Sequence, residues 1–231
     1  QTQVETVLPF FERFILKYPN VDALAEAKEE TLQKDVEGLG YYRRFRNMHL
    51  AAKKIVSEYQ SIFPDTYQDL LSLPGIGKYT AGAIMSIAHN QPFSALDGNV
   101  IRVLSRYLGI DDDMRQEKNR KKLDLINQSY IEKATPHIYT QAMMELGATV
   151  CRPKNPKCEI CPLQKRCYAF ENQVVEKLPF LTKLKDKKTL QFITLILHTT
   201  HGIYMRKRTE ELLKDMYEYP QFEEESYYTV Q

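Results

Sequence analysis

Apolar residues in the first two thirds of the chain recur at spacings of three and four. Phe45, Met48, Ala52, Ile55, Tyr59 and Ile62 line one side of a helix that this pattern predicts from about residue 41 to 63. The same period predicts helices over residues 9–18, 79–89, 99–108, 113–132 and 136–150, separated by short loops rich in Gly, Pro and Asp, and a short helix is expected over 67–71. Up to about Cys167 no segment alternates with a strand's period of two, so the body is expected to be all-helical.

The pattern changes after Lys177. Pro179 is followed by Lys183, Lys185, Lys187 and Lys188, a polar stretch that reads as a linker over residues 179–189. A β-favouring run then covers residues 190–198 and includes Phe192, Ile193, Thr194, Leu195 and Ile196. A turn at Thr200 to Gly202 leads into residues 203–206, which predicts a β-hairpin. About forty residues are too few for an independent strand-rich domain, so 190–231 reads as the first part of a second domain. The chain opens at Gln1 inside an apparent helix and closes without a stop signal, and both ends read as truncated.

Composition narrows this picture only slightly. With 43% hydrophobic and 27% charged residues the chain is ordinary globular protein. No apolar run approaches the roughly 20 residues that span a bilayer, and no secretory signal opens it. A soluble intracellular protein without a membrane partner is expected. A net charge of +2 is too small to argue for nucleic acid, so that case must rest on where the charges lie.

All four cysteines, Cys151, Cys158, Cys161 and Cys167, fall within seventeen residues. The spacing C-x6-C-x2-C-x5-C reads as one four-thiolate metal site. It suits an iron-sulfur cluster better than zinc, because only Cys158 and Cys161 form a short knuckle, and either better than a disulfide pair. Arg152, Lys154, Lys157, Lys165 and Arg166 lie between these cysteines with one acid, Glu159. Such a loop can lean on a phosphate backbone, although each lysine singly could serve only to solvate a surface.

Two further motifs carry chemistry. Leu73-Pro74-Gly75-Ile76-Gly77-Lys78-Tyr79-Thr80-Ala81-Gly82 places a glycine hairpin between two helices. Its open amides at the second helix's positive end favour a phosphate, although L-P-G-I-G alone could be an ordinary turn. Twenty residues beyond Gly77 comes Leu96-Asp97-Gly98-Asn99-Val100, where Asp97 by local pattern is first of all an N-cap. His198 and His201, three apart on a strand, would face opposite ways. Asp111 to Asp113 and Glu223 to Glu225 lack the spacing of a calcium loop and read as solvated.

Taken in order, the hairpin, D-G-N-V-x-R-V-L-S-R and the cysteine loop resemble the DNA glycosylases of the helix-hairpin-helix superfamily that carry a [4Fe-4S] cluster. Gln1-Thr2-Gln3-Val4, Gly38-Leu39-Gly40-Tyr41-Tyr42 and Met144-Glu145-Leu146-Gly147-Ala148 resemble in particular the adenine DNA glycosylases of the MutY family. The resemblance implies a mainly α, two-lobed helix-hairpin-helix glycosylase fold over residues 1–178. The hairpin would occupy about 67–89 and the cluster loop 151–167, and the start of a small α/β Nudix-like 8-oxoguanine recognition domain would follow at 190–231. Tyr204 to Arg208 and Tyr217 to Pro220 stand where the family has its R-x-R strand and its W-E-F-P-like element.

The implied reaction is hydrolysis of the bond between adenine and deoxyribose, at adenine opposite 8-oxoguanine in double-stranded DNA. Asp97 would stabilise the sugar cation, Asn99 would position that carboxylate or a water, and Tyr79 would line the pocket. Tyr79 stands at the strand-cleaving lysine's position in the endonuclease III branch. Lys78, about 100° around the helix, would turn to a phosphate, so a monofunctional enzyme is implied. Gln1, Thr2 and the wedge Tyr41 would contact the lesion side, and Gly75, Gly77 and Lys78 the backbone. The alternative is that Tyr41, with Tyr42, simply opens a helix and packs against the core. The family's general-acid glutamate would lie just before Gln1, so the chain as written is expected to bind DNA poorly and excise little. A monomer in the bacterial cytoplasm, at the nucleoid, is expected. An oxidised-pyrimidine glycosylase and a non-catalytic DNA-binding module are the alternatives.

Overall fold

The structure is a computed structural model that describes residues 4–183, 191–210 and 216–223. It divides into two units, Gln1–Thr182 and Lys183–Gln231. The first is built from α1 (Val4–Lys17), α2 (Val21–Ala25), α3 (Glu29–Asp35), α4 (Tyr42–Tyr59), α5 (Tyr67–Ser72), α6 (Lys78–Ile87), α7 (Gly98–Leu108), α8 (Glu117–Ile131), α9 (Pro136–Glu145) and α10 (Tyr168–Glu171). No helix among the described residues is long and apolar enough to cross a membrane.

The periodic stripes become two cores. Ala51 and Ile55 of α4 pack with Leu70, Leu73, Ala81 and Met85 from the hairpin helices α5 and α6. Val100, Val103 and Leu104 of α7 pack with Met114, with Leu123 of α8 and with Met143 of α9. α6 packs on α9, so the two cores adjoin. Each bulky side chain removed from water contributes about 1.5–3 kcal/mol.

Several boundaries differ from the sequence pattern, each for a local reason. α4 ends at Tyr59 rather than residue 63, because Gln60 and Ser61 turn left-handed and both amides return to the Ile55 carbonyl. α1 starts at Val4, ahead of Pro9, which sits inside the helix. α9 stops at Glu145, where a π-helical turn, Leu146–Val150, takes over and the Cys151 amide bonds the Leu146 carbonyl at 2.7 Å. α2 and α3 are too short to show a period and went unseen.

α8 begins at Glu117, four residues after the expected start, because Asp113 has another task. Its carboxylate accepts from the Arg115 amide (3.0 Å) and from the Thr182 amide (3.2 Å) and hydroxyl. These bonds hold its pKa down at about 2. Arg115 Nε returns a bond to the Thr182 carbonyl (2.6 Å), and the Met114 amide bonds the Phe180 carbonyl (3.0 Å). Asp113 is therefore a clasp on residues 180–182 rather than a solvated loop residue.

The second unit holds three antiparallel pairs: β1 (Phe192–Thr194) with β6 (Gln221–Glu223), β2 (His198–Thr199) with β3 (Gly202–Ile203), and β4 (Arg206–Lys207) with β5 (Tyr217–Glu218). The expected hairpin is present but shorter. Its return strand ends at Ile203, and Arg206 pairs instead with Glu218. His198 lies on β2 and His201 in the turn, both exposed. Glu218 is bridged by Arg206 (2.5 Å) and by Arg208. Lys185, Lys187, Lys188, Glu224 and Glu225 lie outside the described residues.

Candidate active site and iron-sulfur loop

The hairpin between α5 and α6 is set by its glycines. Gly75 has φ +79, and a Cβ there would stand 2.5 Å from the Asn47 Cβ, so both the turn and the approach of α4 require glycine. Gly77 is the extended N-cap of α6, and a Cβ on it would meet nothing within 4 Å. Packing within the chain does not demand that glycine. No side chain caps α6, and its first-turn amides remain open donors. Lys78 is exposed, and its charge acts on the carboxylate of Glu117.

Tyr79, one residue on, is 38% exposed. Its hydroxyl pKa is raised by burial and then by the negative charge of Asp97. Asp97 is the N-cap that local pattern expected, with Oδ1 accepting from the Val100 amide at 2.8 Å. Its Oδ2 accepts from Asn99 Nδ2 at 2.9 Å. Capping fixes the direction of the carboxylate without burying it, since Asp97 is half-buried.

Behind this pair stands Arg102, buried on α7. It donates to Asn99 Oδ1 (2.8 Å), to the carbonyls of Gly147 (2.7 Å) and Gly98 (3.3 Å), and through Nε to the carbonyl of Cys151 (2.6 Å). The Asn99 amide is thereby oriented from both ends. Gly147, in the π-helical turn, approaches so closely that a Cβ would lie 2.5 Å from the Asn99 Cβ.

The segment leading into Asp97 is held by α8 and α9. Gln128 bonds the Pro92 carbonyl (2.5 Å) and the Ser94 amide (2.9 Å), and Ser94 Oγ donates to Asp124 (2.5 Å) and accepts from Asn127 (2.7 Å). Asn127 in turn accepts from the Tyr139 hydroxyl (2.7 Å), and Phe93 stacks on Tyr67 with centroids 4.7 Å apart.

The four cysteines line one cavity, together with Arg106, Val150, Phe170 and Val175. All four are free thiols, which excludes the disulfide reading. They surround a volume rather than meet at a point: among the described residues no three His, Cys, Asp or Glu side chains group as ligands of a single ion. Arg106, one turn beyond Arg102 and also buried, donates to Cys151 Sγ (3.4 Å), to the Arg152 carbonyl (2.8 Å) and to the Leu178 carbonyl (2.9 Å). Burial is the first cause that raises the Cys158 and Cys161 thiol pKa values. Cys151, Cys158, Cys161 and Cys167 would hold the iron as thiolates, and ligation would offset the effect of burial. A donor set of four thiols around a shared cavity, with a buried guanidinium on one sulfur, fits a polynuclear cluster.

The family model described as "HhH-GPD superfamily base excision DNA repair protein" matches residues 1–128. The chain belongs to that superfamily. A second model, the iron-sulfur binding domain of endonuclease III, matches residues 151–167, and the cofactor of this HhH-GPD chain is a [4Fe-4S] cluster. An adenine DNA glycosylase of Buchnera aphidicola (subsp. Acyrthosiphon pisum) is 38% identical over 225 residues, which cover 96% of this chain and 64% of the relative. The mouse adenine DNA glycosylase is 42% identical over 172 residues, covering 74% of this chain and 33% of the relative. The chain thus spans less than two thirds of the length of these relatives. Among solved structures, a thermostable thymine-DNA glycosylase superposes with a TM-score of 0.67 at 26% identity, covering 74% of this chain and 79% of the other. A non-covalent endonuclease III–DNA complex gives 0.61 at 24%, covering 75% and 79%, and shares the fold.

The remaining expected residues fall as follows. Tyr41 is 76% exposed in a left-handed conformation (φ 51) at the start of α4, so it opens the helix without packing on the core. Lys154 and Lys157 are exposed on the cluster loop. Arg152 is half-buried and bonds the Asn155 carbonyl at 2.9 Å. Gln1 and Thr2 lie outside the described residues. Sequence reasoning gave no role to Arg102, Arg106 or Gly147. Two arginines four apart among Val100, Val103 and Leu104 were the available signal, since cations on an apolar stripe need buried acceptors.

Proposed function

We propose that this chain carries the catalytic part of a monofunctional adenine DNA glycosylase acting on adenine opposite 8-oxoguanine in duplex DNA. The observation that carries it is the Asp97 carboxylate fixed by Asn99 and the Val100 amide, with its charge felt at Tyr79 on the helix that follows an open glycine hairpin. Loss of adenine leaves positive charge on deoxyribose, and the Asp97 carboxylate stabilises or captures it once the nucleotide has left the stack. Asn99 holds the second carboxylate oxygen, and Tyr79 walls the site. Gly75, Gly77 and Lys78 take the phosphate backbone, with Lys154, Lys157 and Arg152 on the cluster loop adding positive potential. Tyr41 wedges into the duplex beside the lesion, with Gln1 and Thr2 near the opposite base.

An endonuclease III type of strand cleavage is disfavoured, because Tyr79 occupies the lysine position and Lys78 lies near Glu117. The second unit is read as the start of an 8-oxoguanine recognition domain, separated by the linker at 179–189, and the protein as a monomer of the bacterial cytoplasm. The test is single-turnover cleavage, by the natural full-length holoprotein, of a duplex with one adenine opposite 8-oxoguanine. Breakage only after alkali is expected. Breakage without alkali would point to a lyase, and none under either condition would overturn the adenine assignment.

A further inference from the structure

Gly82 lies within α6, three residues beyond Tyr79. A Cβ on it would stand 2.0 Å from the Ser94 carbonyl oxygen and 2.9 Å from the carbonyl carbon. Backbone atoms cannot swing aside as a side chain would, so glycine is needed here because Ser94 lies directly on α6. From α8 the same residue is held twice. Gln128 takes the Ser94 amide (2.9 Å) and donates to the Pro92 carbonyl (2.5 Å), while the Ser94 hydroxyl donates to Asp124 (2.5 Å) and accepts from the buried Asn127 (2.7 Å). Two helices thus fix Ser94 through main chain and side chain together.

Bonds of this kind by default only stabilise a loop. Their place in the chain argues for more. Only Ala95 and Leu96 separate Ser94 from Asp97; Ala95 is buried and Leu96 packs on the core built around Val100 and Leu104. Three residues reach about 10 Å at most, and a stretch so short, held at both ends, has no slack. The N-cap on Val100 and the bond from Asn99 fix the Asp97 carboxylate only against its own helix, α7. α7 belongs to one core, and α6 with the rest of the hairpin to the other. Capping therefore does not set where the carboxylate stands relative to the hairpin. The contacts of Ser94 do, because they tie the approach to Asp97 onto α6.

We propose that Ser94 and Gln128 are positioning residues for Asp97. Against the flat surface that Gly82 provides, they set the distance between the carboxylate and the hairpin, and so its alignment on a sugar whose phosphate the hairpin holds. The proposal rests on the reading of the chain as a glycosylase that uses Asp97. Neither residue belongs to the hairpin or to the cluster loop. Their loss lowers the rate of the chemical step and leaves duplex affinity in place, since misalignment is felt in the transition state.

The experiment pairs single-turnover excision at saturating enzyme with anisotropy titration, using the full-length holoprotein and a duplex with adenine opposite 8-oxoguanine. Ser94→Ala/Gln128→Leu is expected to slow excision about 10²-fold with a dissociation constant near the parent's. Gly82→Ala, which pushes on Ser94 from α6, should reproduce the loss. Asp124→Asn keeps an oxygen that accepts from the Ser94 hydroxyl and should excise well faster than Asp124→Leu; this pair decides the matter if the double variant does not fold. Asn20→Ala removes the cap of α2 and lowers the melting temperature by a few degrees, yet should excise at the parent's rate. Ser94 and Gln128 variants no slower than Asn20→Ala, affinity lost as steeply as rate, or Asp124→Asn as slow as Asp124→Leu would each overturn the proposal. Adenine excision by the parent with unchanged variant rates sinks this proposal alone. A parent that excises an oxidised pyrimidine instead sinks the adenine reading, and the same rate ratios on that duplex then decide this one. A parent that excises neither base sinks both.

Discussion

Asp97 and Tyr41 are both placed by a loop running into a helix, yet they are held in opposite ways. The segment before Asp97 is tied by side chains from α8 and α9, and the carboxylate itself is bonded through both oxygens and backed by Arg102. Tyr41 follows two glycines at positive φ, Gly38 and Gly40, is itself left-handed, and leaves its ring in solvent. One residue is over-determined by the fold and the other is displayed at a conformational cost. A group that stabilises developing charge gains from fixed geometry, because reorganisation during the reaction is avoided. On the proposed reading Tyr41 enters a duplex, and a wedge needs reach.

The sharpest way to break this contrast is Asp97→Asn. Asparagine keeps the N-cap, so the melting temperature should barely move, while single-turnover excision falls on the order of 10³-fold. Undiminished excision at unchanged stability would show that Asp97 is a cap and nothing more. Next in size is Arg102→Met, which leaves buried carbonyls of Gly147 and Cys151 and the Asn99 amide without their donor. A loss of about 3 kcal/mol in chemical denaturation is expected, with faster bleaching of the cluster's visible absorbance. Intact stability would mean that neighbours or water replace the guanidinium.

Tyr41→Gly should act the other way, relieving left-handed strain worth about 1 kcal/mol while weakening duplex binding. Stability and affinity falling together would mean that the ring packs on the protein after all. The smallest effect belongs to Asp113, whose folded carboxyl lies at about 2 against an ordinary 3.8. A lowered carboxyl pKa contributes stability that is fully present above the unfolded value and lost as pH falls through the folded one. The stability difference between the parent and Asp113→Asn should therefore be constant above about pH 5 and shrink toward pH 2. A difference independent of pH would show that the carboxylate charge is not what holds Thr182.

Helix periods, hairpin glycines and cysteine spacing were legible because each is a local requirement. A stripe at three and four must face a core, Gly75 must take φ +79, and four thiols in seventeen residues can share one centre. Boundaries were less legible. Gln60 and Ser61 carry no glycine to announce the left-handed turn that stops α4, and the π-helical turn at Leu146 looks like continued helix in sequence. Asp113 read as one of three solvated acids because its partner, Thr182, is 69 residues away.

The sequence alone determined the helical class, the family resemblance and which side chains can do chemistry, since these depend on residue type and short spacing. Tertiary structure decided which of those side chains meet. Arg102 bonds both Asn99 and the carbonyl of Cys151, 49 residues beyond it, and Gln128 of α8 reaches back to Ser94, 34 residues before it. Contacts of that range form when α6, α7 and α9 bury their apolar stripes together, and a buried guanidinium must then find acceptors wherever packing has put them.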